Sequence, residues 1–175
     1  MRQRPFYIIA AMDDEQGLGK GGDLAWRLSA DLKHFKNITT LTKNPSLKNV
    51  LIMGRKTWES LPDKSRPLSG RINVVLTHQQ GYSVPDGVLV YNDLNTALDA
   101  LKVMAVGEVF VIGGANLYAQ AITHLSCKQL FITRVKGKYA CDVFFPTIPG
   151  VFKLKKNASV MQENAVSYSF EEYSR

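Results

Sequence analysis

Two strand-to-helix corners constrain this chain more than anything else in it. Lys48–Leu61, KNVLIMGRKTWESL, runs from an apolar strand through one glycine and two cations into a helix. Glu108–Ala121, EVFVIGGANLYAQA, repeats the plan with a glycine pair at the corner. Short continuous apolar runs such as VLIM and VFVI suit strands covered on both faces. Strands that alternate with helices give a mainly parallel sheet joined by right-handed crossovers. Each corner also aims free backbone N–H groups and a positive helix end at whatever lies above the sheet. The pair, with Arg55 and Lys56 on the first corner, suits an elongated polyanion such as a dinucleotide.

Along the chain, strands are expected at Phe6–Ala11, Val50–Met53, Asn73–Leu76, Val88–Val90, Val109–Ile112 and Gln129–Arg134. Val151–Lys155 and Ser167–Tyr173 read as a terminal hairpin, the second alternating polar and apolar as an antiparallel addition near an edge does. Helices are expected at Ala30–Leu41, Lys56–Leu61, Leu94–Met104 and Ala115–Ile122. There is no internal repeat, low-complexity segment or linker, and 175 residues suit one domain with a real core.

A 45% apolar content excludes a disordered chain, and no apolar run approaches a membrane span. The basic start is followed by an apolar stretch that soon breaks into acids, so no signal peptide is expected. Cys127 and Cys141 lack metal spacing and make no disulfide framework, which points to a reduced intracellular setting, cytoplasmic or else mitochondrial. The net charge of +7 comes from scattered cations, with a mild cluster at Lys153–Lys156. No helix carries a continuous basic face, so small anions fit better than nucleic acid as partners.

The loop Asp13–Trp26, DDEQGLGKGGDLAW, holds four glycines at the end of the first strand. Ligands bind at strand ends in open α/β sheets, so this segment reads either as a mobile lid or as a plain solvent-exposed connection. Ser29 reads as an N-cap taking the Leu32 N–H. Behind it Leu28, Asp31, Leu32, Phe35 and Ile38 form one helical stripe, which puts an acid on an apolar face. A first-turn aspartate can merely favour the helix dipole. A buried one must be bonded, paired or protonated, and burial raises its pKa, as proton-handling carboxylates require. Arg71, after Gly70, could grip a carboxylate or face solvent, and Thr77 and His78 at a strand end could bond a phosphate. Serine-nucleophile and zinc motifs are absent, and no metal is expected.

In their order and spacing IIAAMD, GLGKGGDLAWRLSADLKHFK, MGRKTWESLP, RPLSGRINVVLT, VFVIGGANLYAQAI, LFITRV and CDVFFP resemble the dihydrofolate reductases almost from end to end. The resemblance implies an α/β doubly wound, mainly parallel sheet of about eight strands, with helices on both faces and an antiparallel C-terminal strand. It implies NADPH-dependent reduction of 7,8-dihydrofolate to tetrahydrofolate for one-carbon metabolism, antifolates as ligands, and a monomer with no membrane or obligatory nucleic-acid partner. The chain ends at the family's usual last strand, so no fused enzyme is expected within it.

The resemblance also implies the site. Asp31 matches the acid that binds the pterin, supported by Thr133 and, through a water, by Trp26. Ile9, Ala10 and Ile112 match the strand-end floor, with Ala11 and the lid residues Leu18, Gly19 and Leu24 beside the nicotinamide. Leu32, Phe35, Leu61 and Leu68 match the walls around the pterin and benzoyl groups, and Arg71 matches the arginine on the substrate's α-carboxylate. Gly54, Arg55, Lys56, Thr57, Leu76, Thr77 and His78 match the cofactor's phosphate and adenosine side. Gly113, Gly114, Ala115, Asn116, Leu117 and Tyr118 match the pyrophosphate and nicotinamide corner, with a cis bond expected between the two glycines. Ala25 stands where proline is frequent, which should loosen the lid, and His78 puts a titratable group beside the 2′-phosphate. A same-fold pyrimidine reductase of riboflavin synthesis would need neither Asp31 on its stripe nor Arg71. A non-enzymatic nucleotide- or RNA-binding module would be expected to lose Asp31 or the glycine corner.

Overall fold

The computed structural model describes residues 4–175; Met1–Gln3, which open the basic N-terminal stretch, lie outside the described residues. Its elements run β1 (Phe6–Met12), β2 (Gly17–Gly19), α1 (Ser29–Thr40), β3 (Val50–Gly54), α2 (Arg55–Ser60), β4 (Ile72–Leu76), β5 (Leu89–Tyr91) and α3 (Leu94–Leu101). They continue with β6 (Val109–Val111), α4 (Ala115–Thr123), β7 (Cys127–Val135), β8 (Val143–Phe144), β9 (Lys153–Asn157), β10 (Met161–Glu163) and β11 (Val166–Ser174).

Among the described residues, nine strands form one sheet in the order β10-β11-β7-β1-β6-β3-β4-β5, with β9 also on β11. From β7 to β5 every pairing is parallel, and β11 runs antiparallel to β7. Successive strand residues serve opposite faces. Ile8, Ile52, Val74 and Val111 pack with α3 and α4 through Leu98, Leu101, Ala121 and Ile122. Ile9, Leu51, Met53 and Val75 pack with α1 and α2 through Phe35, Ile38 and Trp58. The central strands β1, β3 and β6 are thus apolar throughout because both faces are covered, and the sheet is doubly wound as expected.

Three expectations are corrected. The terminal hairpin is β10 with β11, turning at Asn164 and Ala165, both at positive φ. β9 pairs instead with the far end of β11, so β11 lies inside the sheet between β7 and its two short partners. The third helix ends at Leu101, three residues short of Met104. Ser29 is not the N-cap of α1: the cap position is Leu28, and the Leu32 N–H goes to the Leu28 carbonyl at 3.2 Å.

Glu163 of β10 does the capping from across the fold. Its Oε1 accepts from the Ser29 N–H at 2.9 Å and the Ser29 hydroxyl at 2.6 Å, and its Oε2 accepts from the Ala30 N–H at 3.0 Å. Helix-start N–H groups lack intrahelical partners and favour an anion, so a carboxylate satisfies both needs. These bonds hold the Glu163 carboxyl below its ordinary pKa. A depressed carboxylate stabilises the fold above its unfolded-state pKa and loses that contribution as pH falls through its folded value. Glu163→Ala is therefore expected to lower the melting temperature at neutral pH, with the gap to wild type closing in acid. A pH-independent gap in thermal melts would contradict the cap.

Candidate functional site

The site lies at the carboxyl ends of the parallel strands, where an open α/β sheet binds ligands. Asp31, in the first turn of α1, reaches β7: the Thr133 hydroxyl donates to its Oδ1 at 2.6 Å. Burial pushes the Asp31 carboxyl above the ordinary aspartate range, and the Thr133 bond only partly opposes that. Trp26 is buried, and its indole N–H finds no acceptor among the described residues. Tyr118, also buried, donates its hydroxyl to the Ile9 carbonyl at 2.8 Å and packs on Phe145. That hydroxyl is committed to the middle of β1, and burial raises its pKa.

An apolar wall leads away from Asp31. Phe35, Leu61, Leu68 and Ile112 pack together on the α1–α2 face of the sheet with Ile9. The helical stripe is only partly buried: Leu32 is 60% exposed and Leu24 of the glycine-rich loop 52%, apolar surface beside a cleft. At the far end Arg71 is 8% exposed. Its Nε donates to the Ser69 carbonyl at 2.9 Å and its Nη1 to the Thr39 hydroxyl at 2.8 Å. Burial pulls its pKa down, and no carboxylate among the described residues balances its charge.

A second groove of about 850 Å³ adjoins the two glycine corners. Gly54, Arg55, Lys56, Thr57, Leu76, Thr77 and His78 line one side, and Gly114, Ala115, Asn116 and Leu117 the other. The corners are tied together by the Gly54 N–H, which donates to the Gly113 carbonyl at 2.8 Å. The Gly113–Gly114 peptide is cis, as expected. Gly113 has φ +115, and a Cβ there would come within 3.2 Å of the Tyr118 ring, so only glycine fits. Arg55 is not a free cation: its Nη1 meets both Glu59 oxygens, at 3.0 and 2.9 Å, and the Tyr82 hydroxyl donates to the same carboxylate. Sequence reasoning did not single out Ser60, Gln79, Asn92, Asp93 or Gln120, which also line this groove. Gln79, Asn92 and Asp93 lie outside the motifs, and Ser60 and Gln120 lie inside two of them without a local anomaly to mark them.

The lid reading also changes. Asp13 is buried, and its Oδ1 accepts from the Gly17 N–H at 2.7 Å and the Glu15 N–H at 2.8 Å. Its Oδ2 accepts from the Tyr139 N–H at 3.1 Å. Burial alone would raise its pKa, but these backbone donors hold it below the ordinary value. β2 pairs with β8, and the Gly21 N–H donates to Asp142 Oδ2 at 2.9 Å. The first half of the loop is thus fastened to Tyr139–Phe144. Within it Leu18 packs on the main core and Gly19 is buried against β8, while Gly22 and Val143 line the groove. Ala10 is buried in the main core and Ala11 packs beside Trp26.

An acid and a cation at the two ends of an apolar wall, next to a glycine-cornered groove, suit one elongated aromatic acid lying beside one phosphate-bearing cofactor. A family model described as dihydrofolate reductase matches residues 5–175. The chain is 36% identical over 172 residues to the dihydrofolate reductase of Drosophila melanogaster, covering 94% of each. It is 38% identical over 152 residues to that of Heliothis virescens, covering 85% of this chain and 82% of the relative. It is 37% identical over 180 residues to the bifunctional dihydrofolate reductase-thymidylate synthase of Glycine max, covering 99% of this chain and 34% of the relative. The chain thus spans about a third of the length of the bifunctional relatives it matches. A match from Pro5 to Arg175, and single-activity relatives aligned over most of both lengths, mean that the chain belongs to the dihydrofolate reductase family.

Proposed function

We propose that this chain reduces 7,8-dihydrofolate to 5,6,7,8-tetrahydrofolate with NADPH as the reductant. The observation that carries the reading is the spacing of Asp31 and Arg71 along one apolar wall: an acid for a pterin edge, a hydrophobic run for a benzoyl ring, a buried cation for a carboxylate. Family membership implies a nicotinamide cofactor, and the groove fits one. It offers paired glycine corners, Lys56 and His78, and room for an elongated anion.

When bound, the nicotinamide supplies a hydride to pterin C6. The chain's own residues do the rest. Asp31, ionised, accepts paired hydrogen bonds from the N3 and 2-amino edge of the pterin and fixes its orientation. Through that edge the carboxylate raises the basicity of N5, which takes its proton from water. Thr133 holds Asp31 in place from β7, and the Trp26 N–H is available to a water on the same carboxylate. Asp13 and Asp142 fasten the first half of the glycine-rich loop beside the site.

The 2′-phosphate is the only difference between NADPH and NADH, so preference must come from nearby groups. We assign it chiefly to Arg55 and His78, with Arg55 exchanging Glu59 for the phosphate. Arg55→Ala is expected to raise KM for NADPH about tenfold while leaving KM for NADH nearly unchanged. An equal rise in both would remove Arg55 from this role.

The direct test supplies the protein with NADPH and either dihydrofolate or a ribosylaminopyrimidine. NADPH absorbance should fall only with dihydrofolate. Consumption with the pyrimidine alone would transfer the chain to riboflavin synthesis. No consumption with either, despite NADPH binding, would leave a nucleotide-binding module.

A further inference from the structure

Behind Arg71 stands a buried relay that the sequence did not single out. Thr39, on the last turn of α1, and Asn49, just before β3, are both 0% exposed. The Thr39 hydroxyl donates to the Phe35 carbonyl at 2.7 Å and accepts from Arg71 Nη1 at 2.8 Å. A hydroxyl carries one proton. With that proton committed to Phe35, the oxygen can meet Arg71 only as an acceptor. The rotor is locked in the sense a guanidinium needs.

Asn49 fixes Thr39 in turn. Its Nδ2 donates to the Thr39 carbonyl at 3.0 Å and the Leu41 carbonyl at 2.8 Å, and its Oδ1 accepts from the Glu108 N–H at 2.8 Å. Those carbonyls lie at the end of α1, where intrahelical donors run out. The carboxamide therefore ties the end of α1 to the start of β6.

The geometry leaves Arg71 with little freedom. Its Nε is held by Ser69 and one Nη1 proton by Thr39, and its Cζ lies 5.7 Å from the centroid of the Phe35 ring. Of the five guanidinium protons, three remain, including both on Nη2. A planar fork grips a carboxylate well only when its plane is fixed.

We propose that Thr39 is a positioning residue for recognition of the ligand's tail carboxylate, its proton-locked hydroxyl setting the guanidinium plane of Arg71. This rests on the reading of Arg71 as the carboxylate-binding residue. A threonine that merely stabilised the end of α1 would affect all ligands alike. A threonine that positions Arg71 affects only ligands bearing the carboxylate.

The test compares Thr39→Val, Thr39→Ala and Thr39→Ser with Arg71→Leu. The probes are an antifolate carrying the benzoylglutamate tail and a diaminopyrimidine without it. Valine keeps the shape of threonine but leaves Arg71 Nη1 without its acceptor. Thr39→Val is expected to weaken the tailed ligand about tenfold and to leave the tailless one unchanged. KM for dihydrofolate should rise with kcat nearly constant, and Thr39→Ser should restore both. Thr39→Ala carries the same comparison if valine disturbs the fold, with tailless binding reporting an intact site. Equal weakening of both ligands overturns the proposal. So does unchanged tailed binding while Arg71→Leu loses it, a result that spares the Arg71 reading. No tail preference in Arg71→Leu itself overturns both.

Discussion

Asp31→Asn is expected to fold, to bind NADPH, and to lose turnover of dihydrofolate at neutral pH by about a hundredfold or more. Asparagine keeps the shape and can still accept from Thr133, but it has no charge to place against the pterin edge. The same substitution should raise the melting temperature at neutral pH. Burial lifts the folded-state pKa of Asp31. A raised pKa favours the fold below the unfolded value, and that advantage is lost as pH rises through the folded one. At neutral pH the ionised group is therefore a cost that asparagine removes. The stability gain should shrink in acid, where wild type binds its proton. Kinetics and melts on one preparation check both halves, and a variant of normal activity would remove Asp31 from the chemistry.

Arg71→Leu is expected to weaken folates and carboxylate-bearing antifolates by about 2–4 kcal/mol and hardly touch small diaminopyrimidines. Leucine keeps apolar contact with the Phe35 ring but offers no donor, so the loss should follow the ligand's carboxylate. Calorimetric titration with the two ligand classes separates this from a fold defect, which would weaken both.

Why the sequence showed some of this and not the rest follows from the range of the interactions. Asp31 stood out because a carboxylate on a helical apolar stripe is a local anomaly. The glycine corners stood out because strand, glycine and helix adjoin in the chain. The resemblance then supplied roles that no periodicity contains, such as those of Thr133 and Arg71. Ser29 was a misleading cap because the true acceptor, Glu163, arrives from a strand remote in sequence and leaves no local trace at the helix start. The β2–β8 pair leaves no signal in the sequence because both strands are very short and lack alternation. Asn49 and Thr39 look like ordinary polar residues until the fold buries them beside Arg71. Asp13 likewise reads as one acid of a loop. Its importance lies in backbone donors on two separate segments converging on one carboxylate.

The most direct measurement of the central claim is a single turnover. The protein is loaded with NADPH, a limiting amount of dihydrofolate is added, and the nicotinamide absorbance is followed for wild type and Asp31→Asn. Wild type is expected to oxidise NADPH equivalent for equivalent with dihydrofolate, while the folded, NADPH-bound variant does so far more slowly. A wild-type protein that binds NADPH but leaves it unoxidised, or a variant as fast as wild type, would contradict the proposed reaction and the role of Asp31 in it.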